Sequence, residues 1–251
     1  MPTFNLKDKT VLVTGGGRGI GREIVRQLAG LGAQIIIVGR NQKDLDQVAL
    51  DHPNQITGIQ ADLSKHAEVD RIIAEIGKDH PDLSVLINNA GIQFGADLLS
   101  DNVKRHIKGA RTEIALNVDA VISLSIGLLP VLKAQSQAVV VNISSGLAIG
   151  PKENAPVYCA TKAAIRSFSI GLRYQCQTSA PHVQVTEAIM DLVNTDMTKG
   201  YGDDGMPPQD AATAVVNGVQ AGKSEVWVGR TKFLHIINLI CPPLARKILR
   251  T

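Results

Sequence analysis

The chain reads as an α/β domain, a doubly wound parallel sheet of seven strands covered by helices on both faces. Three features point that way. Short β-branched runs alternate with longer amphipathic segments from end to end, and strand–helix–strand repeats close through right-handed crossovers into a parallel sheet. Several runs are apolar at consecutive positions, as expected of strands buried on both faces. The length, 251 residues with 44% of them apolar, suits one large domain over 1–251 that needs no disulfide or metal staple. No repeat, low-complexity tract or linker divides it.

The first strand is TVLVT (10–14), cut off by glycine. An amphipathic segment over 19–31 leads to QIIIVG (34–39), with four β-branched residues in a row. QITGIQA (55–61) is the third strand, and a helical pattern over 64–79 leads to the fourth, LSVLINN (83–89). Residues 101–133 carry a helical pattern long enough for more than one helix before AVVVNIS (138–144). A helical stretch over 155–178 precedes VQVTEAI (183–189), and EVWVG (225–229) is the seventh strand. Between the last two lies NTDMTKGYGDDGMPP (194–208), rich in Gly, Asp and Pro. It is a loop at the carboxyl edge, where open α/β sheets bind ligands, and is read as a substrate lid in preference to a tolerated surface excursion.

A net charge of +3, evenly spread, and 3% aromatics argue against a nucleic-acid surface. Cys159, Cys176 and Cys241 are scattered, which suits a reducing compartment and ordinary buried thiols. A strand beginning near residue 10 leaves no room for a signal peptide, and no apolar run approaches the ~20 residues of a membrane span. A cytoplasmic location is therefore expected. The apolar C-terminal segment, 233–249, contains FLHIINLICPPLA and is broken by Pro242-Pro243. A core or oligomer-contact helix is favoured there over a segment lying on a membrane surface. The six histidines lack metal-ligand spacing, so no catalytic metal is expected.

Glycine weakens regular structure, so the run VTGGGRGIG directly after the first strand needs a cause. A strand–glycine turn–helix unit offers free backbone N–H groups and a positive helix end, a site suited to phosphate. The spacing is T-G-x-x-x-G-x-G, on Thr14, Gly15, Gly19 and Gly21, with Gly17, Arg18 and Ile20 inside the turn. It is neither GxGxxG nor a P-loop. An NAD-specific site would place a carboxylate where the second strand ends; here the chain reads VGRN, with Arg40. Arg18 and Arg40 together suit a 2′-phosphate, which accepts charge-assisted bidentate hydrogen bonds, and favour NADP(H) over NAD(H).

Further along, Tyr158 and Lys162 stand at i and i+4 and share a helix face. A fixed cation beside a phenol lowers its pKa from ~10 and makes it a usable general acid/base. Ser145, thirteen residues upstream, leaves the fifth strand in reach of the same substrate oxygen.

These motifs together resemble the short-chain dehydrogenase/reductase superfamily, in its single-domain branch, over essentially the whole chain. TGGGRGIG is similar to the family's cofactor turn, and NNAG, with Asn89, Ala90 and Gly91, to its fourth-strand motif beside the adenine. ADL supplies Asp62 and Leu63 at the adenine, and ALNVDA supplies Asn117, similar to the helix-kink asparagine that holds a water in the proton relay. SSGLAIGPKENAPVYCATK supplies Ser145, Tyr158 and Lys162, the lysine also holding the nicotinamide ribose. Val193 and Thr195 match residues that reach the nicotinamide end. One departure is Met190-Asp191, where the family usually has Pro-Gly; an acidic side chain there is expected to alter cofactor seating or narrow the substrate range. HPDLSVLINNAGI, PVLKAQ and VGRTKFL look similar to a bacterial branch named after a D-alanine/lipoteichoic-acid operon oxidoreductase.

The resemblance implies a Rossmann-type sheet of order 3-2-1-4-5-6-7, a homodimer or homotetramer, and hydride transfer between NADP(H) and a carbonyl or secondary alcohol. The alternative is an NADP(H)-binding sensor or scaffold without turnover. Pocket walls are expected from 93–98, 147–156 and 194–208, with Leu147, Ile149 and Met190 hinting at an apolar ligand.

Overall fold

The computed structural model describes residues 3–95, 97–199 and 204–250. The middle of the expected lid, 200–203, lies outside them. The strands are β1 (Thr10–Thr14), β2 (Gln34–Gly39), β3 (Ile56–Gln60), β4 (Leu83–Asn88), β5 (Ala138–Ser145), β6 (Val183–Met190) and β7 (Glu225–Trp227). They form one sheet in the order β3-β2-β1-β4-β5-β6-β7, parallel at every pairing, as the sequence implied.

Burial on both faces is what makes the strands continuously apolar. Val11, Val13, Ile35, Ile37, Val139 and Val141 face one core with helices α1 (Gly19–Gly30), α2 (Gln42–Asp51) and α7 (Pro208–Gln220). Leu12, Ile36, Val38, Leu86 and Val140 face the other with α3 (His66–Asp79), α5 (Ala120–Lys133) and α6 (Pro156–Ser179). In α1, Gly21, Ile24, Val25, Leu28 and Ala29 keep the three-and-four spacing of a core-facing stripe.

Residues 101–133 divide as foreseen, into α4 (Val103–Ile114) and α5, but the join is a π-helical stretch, Ala115–Asp119, not a loop. Together they make a 31-residue helical run, Val103–Lys133, long and apolar enough to cross a membrane by length and composition. This corrects the expectation that no run has that character. Packing accounts for the apolarity of one side, since Leu116, Ala120, Leu124, Leu128 and Leu132 all lie in the second core, while Ile114 and Ile126 are exposed.

The C-terminal segment forms α8 (Thr231–Ile240) and α9 (Pro242–Leu249), with proline opening α9. It is not a core helix. Only Thr231, Leu234 and Ala245 are buried, while Phe233, Ile236, Leu239 and Ile240 are exposed. Cys241, between the two helices, is likewise exposed, unlike buried Cys159 and Cys176.

Candidate active site

All seven strands end at one edge, and a cleft of about 1420 Å³ opens along it. Its floor begins at the glycine turn. Gly15 takes φ +68°, a left-handed conformation that side chains disfavour, and its N–H donates to Val38 O at 2.7 Å. Gly21 lies so close beneath it that a Cβ there would stand 2.2 Å from Gly15 O and 2.5 Å from Asn89 Nδ2. The start of α1 has no side-chain cap and no acidic residue in its first turn, which leaves its N–H groups for an anion. Gly21→Ala is expected to cost about 1–3 kcal/mol of stability through overpacking, and to weaken nucleotide binding because the turn must move. Thermal unfolding and a nucleotide titration check both.

Thr14 ties this turn to β4. Its Oγ1 accepts from the N–H groups of Asn89 and Ala90, both at 3.0 Å, while Asn89 Nδ2 donates to Thr14 O at 3.0 Å. Gly15, Gly17, Arg18, Gly19, Ile20 and Gly21 line the cleft with Arg40, Leu63, Asn89, Ala90 and Gly91. Asp62 does not. Its carboxylate accepts from Ser64 N and Ser64 Oγ. Burial pushes that carboxyl up, but the Ser64 hydrogen bonds and Arg40 outweigh it and hold it below the usual range. Asp44, four residues beyond Arg40 on α2, also lines this end, against Gly17. A search limited to the end of β2 passes over it.

At the middle of the cleft, Ser145, Tyr158 and Lys162 come together. Ser145 ends β5, and its Oγ accepts from Leu147 N at 3.2 Å and is hydrogen-bonded to Tyr158. Ser144 points elsewhere, donating to buried Glu187 Oε1 at 2.5 Å. Lys162 is buried, its Nζ donating to Ile143 O at 2.9 Å and lying 5.6 Å from the Tyr158 ring centroid.

The electrostatics correct one expectation. In this arrangement burial, not the neighbouring ammonium, sets the direction in which the phenol's pKa moves. Burial pushes the Tyr158 pKa up, Cys159 and Glu113 add to the rise, and the Ser145 hydrogen bond only partly opposes it. Burial likewise lowers Lys162 to about 8. Desolvation disfavours the charged form of each. Glu113, absent from the sequence reading, is a buried carboxyl on α4 whose Oε1 accepts from Phe94 N at 2.7 Å and whose own pKa burial raises.

Asn117 sits in the π-helical stretch and does not line the cleft. Its Oδ1 accepts from Ile92 N at 2.9 Å, and its Nδ2 donates to Ile92 O at 2.8 Å and Thr161 Oγ1 at 3.2 Å. It pins the chain just after Gly91, where a Cβ would stand 3.4 Å from Asn117 Oδ1 and 3.7 Å from Lys162 Nζ.

Val193 and Thr195 line the far end. Asn194 N donates to Met206 O and Met206 N to Leu192 O, both at 2.9 Å, which staples the described ends of the 194–208 loop together. Asp191 is committed to the turn before α8. Its carboxylate accepts from Arg230 N at 2.9 Å, Arg230 Nε at 2.8 Å, Arg230 Nη2 at 3.2 Å and Leu192 N at 2.8 Å. Burial pushes this carboxyl up, but the Arg230 contacts overcome it and hold it low. The acidic residue in place of the usual glycine thus joins the loops after β6 and β7. Leu147 and Met190 line the cleft as expected; Ile149 does not. Phe233, Leu234, Ile237, Ile248 and Leu249 from α8 and α9 form apolar wall that the sequence reading did not assign. Among the described residues, no three His, Cys, Asp or Glu gather as a metal site.

Known proteins resemble the chain in sequence or in fold. The oxidoreductase DltE of Bacillus subtilis strain 168, itself uncharacterized, is 35% identical over 238 residues, covering 92% of each chain. A short chain dehydrogenase from Burkholderia cenocepacia J2315, solved with NADP, superposes with a TM-score of 0.86 at 21% identity, covering 99% of this chain and 100% of that one. A short chain dehydrogenase/reductase from Burkholderia phymatum, solved with NAD, gives 0.82 at 17% identity, covering 94% and 96%. The family model described as short chain dehydrogenase matches residues 9–205, the glycine turn, NNAG and the Ser145–Tyr158–Lys162 group included, and the chain belongs to that family of oxidoreductases.

Proposed function

We propose that the chain is an NADP(H)-dependent oxidoreductase that interconverts a carbonyl compound and its secondary alcohol, with Tyr158 as general acid/base. One observation supports this above the rest: Ser145, Tyr158 and Lys162 open into the same cleft as the glycine cradle and Arg18 and Arg40. The residues fit a dinucleotide. No side chain fits between Gly21 and Gly15, and the uncapped start of α1 suits a pyrophosphate. Arg18 and Arg40 would take the 2′-phosphate; Leu63, Asn89, Ala90 and Gly91 would surround the adenosine, with Asp62 behind them fixing the turn through Ser64; Lys162, Val193 and Thr195 would hold the nicotinamide end. NADP in the Burkholderia cenocepacia relative agrees with this preference, while NAD in the Burkholderia phymatum one makes it a point to test.

When bound, the nicotinamide supplies or takes the hydride. The remaining work falls to the chain. Ser145 Oγ orients and polarises the carbonyl oxygen. Tyr158, kept protonated by burial, gives its proton to that oxygen in reduction and takes one back in oxidation. Lys162, beside the ring, stabilises the phenolate left behind. Asn117 holds the Gly91–Ile92 backbone against this group; by its likeness to the family's helix-kink asparagine it would hold the water that returns a proton to Lys162.

An NADPH-oxidation screen over ketones and aldehydes, run beside an NADPH binding titration, tests the reading. Turnover is expected; tight binding with no turnover on any carbonyl would favour the sensor alternative. Arg40→Ala is expected to raise the KM for NADPH by roughly tenfold or more while leaving that for NADH nearly unchanged, since a hydrogen bond to a charged group contributes about 1.5–3 kcal/mol. Equal effects on both nucleotides would remove Arg40 from the 2′-phosphate.

A further inference from the structure

We infer that α8 and α9 form a docking surface for an anionic lipid bilayer. The inner side of the pair is firmly seated. Thr231 Oγ1 donates to Ile189 O at 3.1 Å and Val228 O at 2.6 Å, Leu234 and Thr231 pack at Gly146, and Leu249 packs at Gly150. Glu153 N donates to Arg250 O at 3.0 Å. None of these contacts uses the outer face. There Leu239 and Ile240 are 70% and 80% exposed and Ile236 and Leu244 are exposed beside them, while Phe233 and Ile248, which also wall the cleft, stand at the border of this ridge. The spacing of Phe233, Ile236 and Ile240 on α8, and of Leu244 and Ile248 on α9, keeps these side chains on one side of each helix. Fixed helices with an apolar outer face are what an interfacial helix presents to an acyl boundary.

Charge selects the occupant. From Val226 to Arg250 the chain carries no aspartate or glutamate, but five cations, Arg230, Lys232, Arg246, Lys247 and Arg250. Lys232, Arg246 and Lys247 have no ion-pair partner among the described residues. A two-fold contact of this face with a second copy of itself would set like charge against like. A sheet of anionic headgroups neutralises them while the apolar ridge enters the boundary region. This departs from the expectation that the segment serves the core or an oligomer contact first. The same helices wall the cleft, so docking brings the cleft beside the lipid.

Flotation of the full chain with phosphatidylcholine vesicles, with and without phosphatidylglycerol, tests the inference. The chain is expected to float with the phosphatidylglycerol vesicles only, and to be released by high salt. Leu239→Ser with Ile240→Ser, and separately Arg246→Glu with Lys247→Glu, are each expected to lower vesicle affinity by at least roughly tenfold. Neither pair should change Tm or NADPH binding, because none of the four residues lines the cleft or is buried. Three outcomes would overturn it: no flotation with phosphatidylglycerol at low salt, equal flotation with both vesicle types, or a dimer in solution that the Leu239→Ser, Ile240→Ser variant abolishes.

Discussion

Tyr158→Phe is expected to lower turnover by roughly three orders of magnitude, within the 10²–10⁴-fold range of a positioned general acid. The ring stays, so its packing in the buried site beside Lys162 is kept and only the hydroxyl is lost. NADPH affinity should therefore hold near that of the unchanged chain. The rate of carbonyl reduction in the unchanged protein should also fall as pH rises through about 8, where Lys162 loses its proton. Burial raises the phenol further than that, so the donor itself remains protonated across this range. Steady-state rates of both proteins from neutral to alkaline pH give the answer. A Phe variant that turns over normally would take Tyr158 out of the chemistry, and a rate that stays flat through the lysine titration would take the ammonium out.

The second large effect concerns stability. Glu187 is wholly buried on β6, where Ser144 Oγ donates to it and Arg166 Nη1 reaches Oε2 at 2.7 Å. Arg166 also bridges to Glu225 at 3.2 Å and lies 5.3 Å from the Trp227 ring centroid, and Trp227 stacks on His235 of α8. Removing one member of a buried pair leaves the other charge uncompensated, so Arg166→Met is expected to cost about 3–5 kcal/mol. For a chain of this size that lowers Tm by roughly 10 °C. The pH dependence has a definite sign. Burial raises the Glu187 pKa above its unfolded value even with Arg166 in place, so this group's contribution is lost as pH rises through the folded pKa. Without the guanidinium the pKa rises further, and the deficit of the variant should widen from acidic toward neutral pH. Urea unfolding of both proteins at about pH 5 and about pH 8 measures it. A deficit that shrinks with pH would mean that Glu187 is not the group left exposed to the penalty.

Local sequence determined the sheet and the floor of the cleft. A β-branched run buried on both faces has few other solutions, so the seven strands were legible to within one residue at every end but the last, where EVWVG runs two residues past Trp227. Gly15 and Gly21 were legible because a backbone that must approach closely leaves a mark in residue type. Tyr158 and Lys162 were legible because a helix brings i and i+4 onto one face whatever surrounds it.

Only the tertiary structure decided what those groups feel and what else reaches them. Arg230 comes to the cleft from a distant segment and Glu113 reaches from α4 to the backbone of cleft-lining Phe94, and no local pattern marks such arrivals. Asp191 looked like an intrusion into a nucleotide loop until its partner, 39 residues away, proved to be Arg230. The pKa directions at Tyr158 and Lys162 follow burial, a property of the packed whole that their spacing in the chain does not report. The C-terminal helices make the same point. Their composition says only that they are apolar, and which side of an apolar helix meets water depends on where its few anchors, Thr231, Leu234 and Ala245, seat against the domain.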